Sequence, residues 1–229
     1  MLQAVFFDFD GVIADSEPLH LRAYQAVLEQ DGIALTRHDY YDRYLGYDDA
    51  GLFEALAEDR GLTIHAATID KWITAKTAMI QTLLSDPSVL FSGAADCVRM
   101  CAARVPLAIA SGALEPEIKV VLEHAGLRDC FRAIASASDG VRGKPAPDLY
   151  LLAIAKLREV ARVDPRACVA IEDSHWGLEA ARTAGLRTVA ITHTYPAAEL
   201  SSADLVVEKL GDLTMERLDR VLRDNSRTE

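Results

Sequence analysis

The sequence predicts an α/β fold: a parallel-sheet core with an all-helical domain inserted after the first strand. Three observations carry this. A short apolar run, Ala4 to Phe7, opens the chain and reads as a strand buried on both faces, being too short for a helix and without polar alternation. Residues from about 16 to 85 then show helical spacing and no convincing strand. From Phe91 onward, apolar runs alternate with helical stretches, as repeated strand–helix units do. The expected division is a core of residues 1–15 and 86–229 and a helical domain of residues 16–85.

In the insert, Ser16-Glu17-Pro18 is a helix start, and Leu21, Tyr24, Val27 and Leu28 recur at helical spacing before Gly32. Thr36 reads as the N-cap of a short helix through Tyr44. A turn at Leu45-Gly46-Tyr47-Asp48-Asp49 precedes a helix carrying Leu52, Phe53, Leu56 and Ala57 and ended by Gly61. His65 to Leu84 is a long amphipathic helix closed by Ser85-Asp86-Pro87. In the core, helices are expected over Gly93–Arg104, Pro116–Ala125, a stretch after Pro147 to Arg158, Trp176–Ala184 and Thr214–Leu222. Strands are expected over Val105–Ala110, Ala133–Ala137, Cys168–Ile171, Thr188–Ile191 and Asp204–Val207, with a polar tail from Asp224.

Composition narrows the function. A net charge of −11 argues against nucleic acid or an anionic membrane as the main partner, while leaving room for an anionic substrate reached through a metal ion. No apolar run reaches the roughly eighteen residues of a membrane span. Cys97, Cys101, Cys130 and Cys168 form no Cys-x-x-Cys pair and read as free thiols. Met1-Leu2-Gln3 enters the first strand directly, so the expectation is a cytoplasmic protein, monomeric or weakly dimeric.

The chemistry lies where strands end. The first strand stops in Asp8-Phe9-Asp10-Gly11, the second at Ser111-Gly112, and the fourth at Glu172-Asp173-Ser174. Lys144 stands in the loop Gly143-Lys144-Pro145-Ala146-Pro147. In a parallel sheet these ends share one edge, where such folds bind ligands. Crowded carboxylates repel unless a cation lies between them, so the acids imply a divalent metal with one carboxylate left for chemistry. The other explanation of Asp8 and Asp10 is a turn in which Gly11 supplies a positive φ. No Gly-x-x-x-x-Gly-Lys, Gly-x-Gly-x-x-Gly, His-Glu-x-x-His or Gly-x-Ser-x-Gly occurs, which removes the common nucleotide, zinc and serine-hydrolase readings.

Phosphoryl transfer uses this set. Asp8 would be the nucleophile and Asp10 the proton donor and acceptor. Mg²⁺ would be held by Asp8, the backbone carbonyl of Asp10, Glu172 and Asp173. Ser111, Lys144 and the backbone at Gly112 would hold the phosphoryl oxygens, with Gly11 beside the substrate. Tyr47 would line the substrate entrance.

Asp8-Phe9-Asp10-Gly11-Val12, Ser111, Lys144 in Gly-Lys-Pro-Ala-Pro-Asp and Glu172-Asp173-Ser174, in this order, resemble the haloacid dehalogenase superfamily of phosphatases. The likeness is to its branch with a helical cap after the first strand, and the implied core is Rossmann-like. Asp8 to Asp15 with His20 is similar to the β-phosphoglucomutase-like, CbbY-like group. That resemblance implies that His20 helps gate the acid/base aspartate and that Lys76 touches substrate. It also implies a cap that closes over the core during turnover. A mutase needs a second anion site, and Leu45-Gly46-Tyr47-Asp48-Asp49 offers tyrosine and acids with Arg43 only nearby. The expectation is therefore a hydrolase of a small phosphorylated metabolite, a sugar phosphate, with a phosphosugar mutase as the alternative. A dehalogenase would not need Asp10 or a metal pair. A phosphonatase would need a Schiff-base lysine, for which Lys71 and Lys76 carry no special mark. A signalling phospho-acceptor would carry its acid pair before the nucleophile and lack the helical insert.

Overall fold

The computed structural model describes residues 1–45, 47–86 and 89–223. Gly46 of the expected turn, Pro87 of the helix stop and the tail from Asp224 lie outside the described residues. The chain divides into two compact units, Met1–Asp15 with Pro87–Glu229, and Ser16–Asp86.

The first unit opens with β1 (Ala4–Phe7), every residue of it buried. The chain then runs through the second unit, in α1 (Glu17–Glu29), α2 (Arg37–Asp39), α3 (Asp49–Asp59) and α4 (Ala66–Leu84). It returns as α5 (Ala94–Ala102), β2 (Leu107–Ala110), α6 (Glu115–His124), β3 (Phe131–Ala135), α7 (Asp148–Arg158), β4 (Cys168–Glu172), α8 (His175–Thr183), β5 (Arg187–Ile191), β6 (Leu205–Val207) and α9 (Met215–Arg223).

The six strands form one sheet in the order β3-β2-β1-β4-β5-β6, and all pairs are parallel. This is a Rossmann-like arrangement, and its strand order reverses between β1 and β4. Phe6 stands in register with Ala108 on one side and Ala170 on the other. Those small neighbours leave room for Leu149, Tyr150, Ile154 and Leu157 of α7, which join Phe6 in one buried cluster. The sheet buries its centre and blunts its edges: Arg132 interrupts β3 with an exposed side chain, and β6 is only three residues long.

Two strands depart from the sequence expectation by two residues, and the other core strands by no more than one. β3 begins at Phe131 and stops at Ala135, because Ser136 and Asp139 close a tight turn in which the Ser136 N–H donates to Asp139 at 2.9 Å. β2 begins only at Leu107, because the Val105 N–H still donates to the Cys101 carbonyl at the end of α5.

Every regular element described in the second unit is a helix. Its core joins Leu21, Tyr24 and Leu28 of α1 to Phe53 and Leu56 of α3 and Trp72 of α4. Three large aromatics hand their polar tips to carboxylates: Tyr40 to Glu17 at 2.6 Å, Tyr44 to Asp59 at 2.7 Å and Trp72 to Asp31 at 2.7 Å. The short helix expected from Thr36 to Tyr44 starts as α2, with Thr36 accepting the Asp39 N–H. It then widens into a π turn over Tyr40–Tyr44, in which the Leu45 N–H reaches back to the Tyr40 carbonyl and both tyrosines are buried. No helix among the described residues is long and apolar enough to cross a membrane. All four cysteines are free thiols, with Cys97, Cys101 and Cys168 buried.

Candidate active site

The polar residues gather at the carboxyl ends of β1 and β4, where the order of the sheet reverses. Asp8 follows β1 directly and is 8% exposed; its N–H donates to the Ile171 carbonyl of β4 at 3.0 Å. Glu172 ends β4 with no exposed surface, and Asp173 is 6% exposed. These three carboxylates lie within reach of one another, with ligand oxygens inside 4.8 Å, and could hold a metal ion.

One cation faces them. Lys144 Nζ lies 2.8 Å from Asp8 Oδ1 and 2.5 Å from Glu172 Oε1. The Tyr150 hydroxyl donates to the same Glu172 oxygen at 2.7 Å, and the Lys144 ammonium stands 5.3 Å from the centre of the Tyr150 ring. The other Glu172 oxygen accepts the Asp173 N–H at 3.3 Å and the Ser174 hydroxyl at 3.4 Å. Ser174 caps α8 by accepting the Gly177 N–H, and Gly177 has no room for a side chain: a Cβ there would stand 2.0 Å from the Glu172 carboxyl. Gly11, at φ +75°, is similarly placed, since a Cβ would meet Asp173 Oδ2 at 1.9 Å.

The charges do not balance. Burial, reinforced by Asp8 and Asp173, pushes Glu172 up to about 7 against the pull of Lys144. Burial and then Asp8 push Asp173 up to about 7, against the hydrogen bond from Thr194 and the charge of Lys144. Burial alone would lower the Lys144 pKa, but Asp8 and Glu172 outweigh it and hold the ammonium above the ordinary lysine range. Burial first, and the carboxylates next, keep the Tyr150 phenol protonated and therefore a donor. Three buried carboxylates against one ammonium fit an added divalent cation, and an all-oxygen donor set suits a hard one.

The remaining predicted residues of this unit lie at the same edge. Asp10 is half-buried and bridges to Ala14. Ser111 is buried at the end of β2, where its N–H donates to the Ala135 carbonyl and its Oγ accepts the Ala113 N–H at 3.1 Å. Gly112 is exposed, with open space where a Cβ would be.

In the helical unit, Lys76 is 3% exposed and lies 2.7 Å from Asp49, its ammonium 4.9 Å from the centre of the Tyr24 ring. The Tyr24 hydroxyl donates to the same Asp49 oxygen at 2.5 Å. Half-buried His20 has its pKa lowered to about 4, by burial first and then by Lys76, against the opposing charge of Asp49. Tyr47 is 53% exposed.

Sequence reasoning missed two hydroxyl donors. Tyr150 shares the spacing of Ile154 and Leu157 and reads as core, which it also is. Thr194 follows β5 and donates to Asp173 Oδ2. The rule that strands here end in polar residues, applied to Thr192-His193-Thr194, was the signal available for it.

The haloacid dehalogenase-like hydrolase family matches residues 2–185. A fructose-1-phosphate phosphatase of Escherichia coli K12, YqaB, is 32% identical over 189 residues, covering 81% of this chain and 94% of its own length. A β-phosphoglucomutase of Bacillus subtilis 168 is 31% identical over 223 residues, covering 95% and 94%. Among solved structures, CbbY from Rhodobacter sphaeroides in complex with phosphate aligns with a TM-score of 0.82 and 28% identity, covering 96% of this chain and all of that one. With its sheet, its acid cluster and these matches in agreement, the chain belongs to the haloacid dehalogenase-like hydrolase family.

Proposed function

We propose that this protein is a Mg²⁺-dependent phosphatase that hydrolyses a small phosphorylated metabolite, a sugar phosphate, through a phosphorylated Asp8. The observation that carries the proposal is the buried group of Asp8, Glu172 and Asp173 facing the ammonium of Lys144. Curated relatives that include a fructose-1-phosphate phosphatase and a phosphorylated carbohydrates phosphatase of Thermotoga maritima support the substrate class.

Asp8, Glu172, Asp173 and the Asp10 carbonyl would hold Mg²⁺, whose charge would offset that of the nucleophile and the phosphoryl group. An Asp8 oxygen attacks phosphorus, and the bond to the sugar oxygen breaks. Asp10 gives a proton to that departing oxygen, so the sugar leaves as a neutral alcohol. Lys144, Ser111 and the Gly112 N–H hold the phosphoryl oxygens during transfer. Asp10 then takes a proton from water, which attacks the phosphorus, frees inorganic phosphate and restores Asp8.

Hydrolysis is favoured over a mutase reaction by the helical unit's own charges. The Lys76 ammonium is already matched by Asp49, Arg43 is paired with Asp59, and Asp48 is spent on capping α3. Neither of these two cations is left over to invite a second phosphate. His20, Lys76 and Tyr47 are proposed to act in recognising the sugar. Asp8→Asn is expected to fold, give the wild-type circular dichroism spectrum and lose turnover on every phosphorylated sugar tested. Hydrolysis retained in that variant removes Asp8 as nucleophile, and β-glucose 1-phosphate isomerised faster than it is hydrolysed by the wild type moves the reading to a mutase.

A further inference from the structure

We propose that Thr194 is a positioning residue for the cation: its hydroxyl fixes the Asp173 carboxylate so that one oxygen is held and the other is presented to a divalent ion. Thr194 Oγ1 donates to Asp173 Oδ2. The same oxygen is walled in by Gly11, where a Cβ would stand 1.9 Å from it and 3.0 Å from the threonine hydroxyl. With Oδ2 engaged, Oδ1 is the oxygen a cation would take.

The loop that carries Thr194 is itself pinned. The Thr192 N–H donates to the Val207 carbonyl at 3.1 Å. His193 Nδ1 lies 2.9 Å from the Gly11 carbonyl, to which it donates as the Nδ1–H tautomer, and its ring stacks on Phe91 with centroids 3.9 Å apart. Thr194 therefore offers its hydroxyl from a fixed point. An Asp173 carboxylate crowded by Asp8 and Glu172 would otherwise turn away from those like charges. A neutral donor restrains it without adding the positive charge that would compete with a metal.

This inference rests on the metal-binding reading above, and the test separates the two. Mn²⁺ and Mg²⁺ binding to the substrate-free protein is measured by isothermal titration for the wild type, Thr194→Val, Thr194→Ser and Asp173→Asn. Thr194 is exposed, so the valine variant is expected to keep its melting temperature, and a serine at the position keeps the hydroxyl. The dissociation constant should rise about 10- to 100-fold in Thr194→Val, the usual loss when a partner of a metal ligand is removed. It should return close to the wild-type value in Thr194→Ser, and binding should vanish in Asp173→Asn. At saturating Mg²⁺ the valine variant should recover most of its turnover. A valine variant that binds cation as tightly as the wild type overturns the role of Thr194 while leaving the metal site intact. A wild type whose binding is indifferent to Asp173→Asn overturns the metal reading itself.

Discussion

Gly177 shows how much of the site is decided by a single missing atom. It lies in the first turn of α8, where alanine would ordinarily gain about 1 kcal/mol of helix propensity. Its Cβ, however, would stand 2.0 Å from the Glu172 carboxyl, which has no exposed surface and is held by Lys144 and Tyr150. Displacing that carboxyl breaks its contacts with Lys144 and Tyr150, and separating a buried charged pair costs about 3–5 kcal/mol. The clash wins. Gly177→Ala should lower stability by about 2 kcal/mol or more in denaturant unfolding, taking the difference of these two figures. A variant as stable as the wild type would mean that the carboxylate is not packed as described. The sequence made Asp8, Glu172 and Asp173 legible because charged residues at the ends of apolar strands have few structural uses, and Lys144 because it stands in a Gly-Lys-Pro loop that matches the family motif. It hid Tyr150, whose spacing is that of a core aromatic, and Thr194, because a hydroxyl donating to a carboxylate leaves no periodic trace.

Among the elements, the strands were readable where apolar runs are short and bounded, as in β1, and less so where a turn reuses the same residues. Ala137 was expected in a strand, yet the Ser136–Asp139 turn claims it, since side-chain bonds to the local backbone compete with the ladder. The π turn at Tyr40–Tyr44 was hidden because its buried tyrosines are four residues apart, the spacing an α-helix also gives. Within the helical unit, α1 carries His20 and α4 carries Lys76, and that pairing has a consequence for pH. The folded unit holds His20 near 4, below its ordinary 6.5, so folding favours the neutral imidazole. A depressed folded-state pKa gives stability that is full above 6.5 and is lost as pH falls towards and through about 4. His20→Asn should therefore lose less stability than the wild type between pH 7 and pH 4, the carboxylate titrations being common to both. Parallel stability curves for the two proteins would contradict the burial and charge assigned to His20.

For the molecule as a whole, an acidic protein of net charge −11 is proposed to bind an anionic substrate, which it can do only if the charge is reversed locally. The fold prepares this by ending β1 and β4, neighbours at the point where strand order reverses, in carboxylates that share one lysine and are proposed to take up a divalent cation. The parallel sheet was legible in the alternation of apolar runs and helices after Phe91; the strand order that makes the switch point was not, because no sequence pattern says which strands pair. The central claim is that a carboxylate at position 8 carries the phosphoryl group between sugar and water. The most direct measurement is an acid quench of the enzyme turning over a radioactively phosphorylated sugar in Mg²⁺, followed by peptide mapping. The account predicts label on the peptide containing Asp8, formed and discharged at least as fast as the sugar is released. Undiminished turnover with no label on that peptide at any time would contradict it.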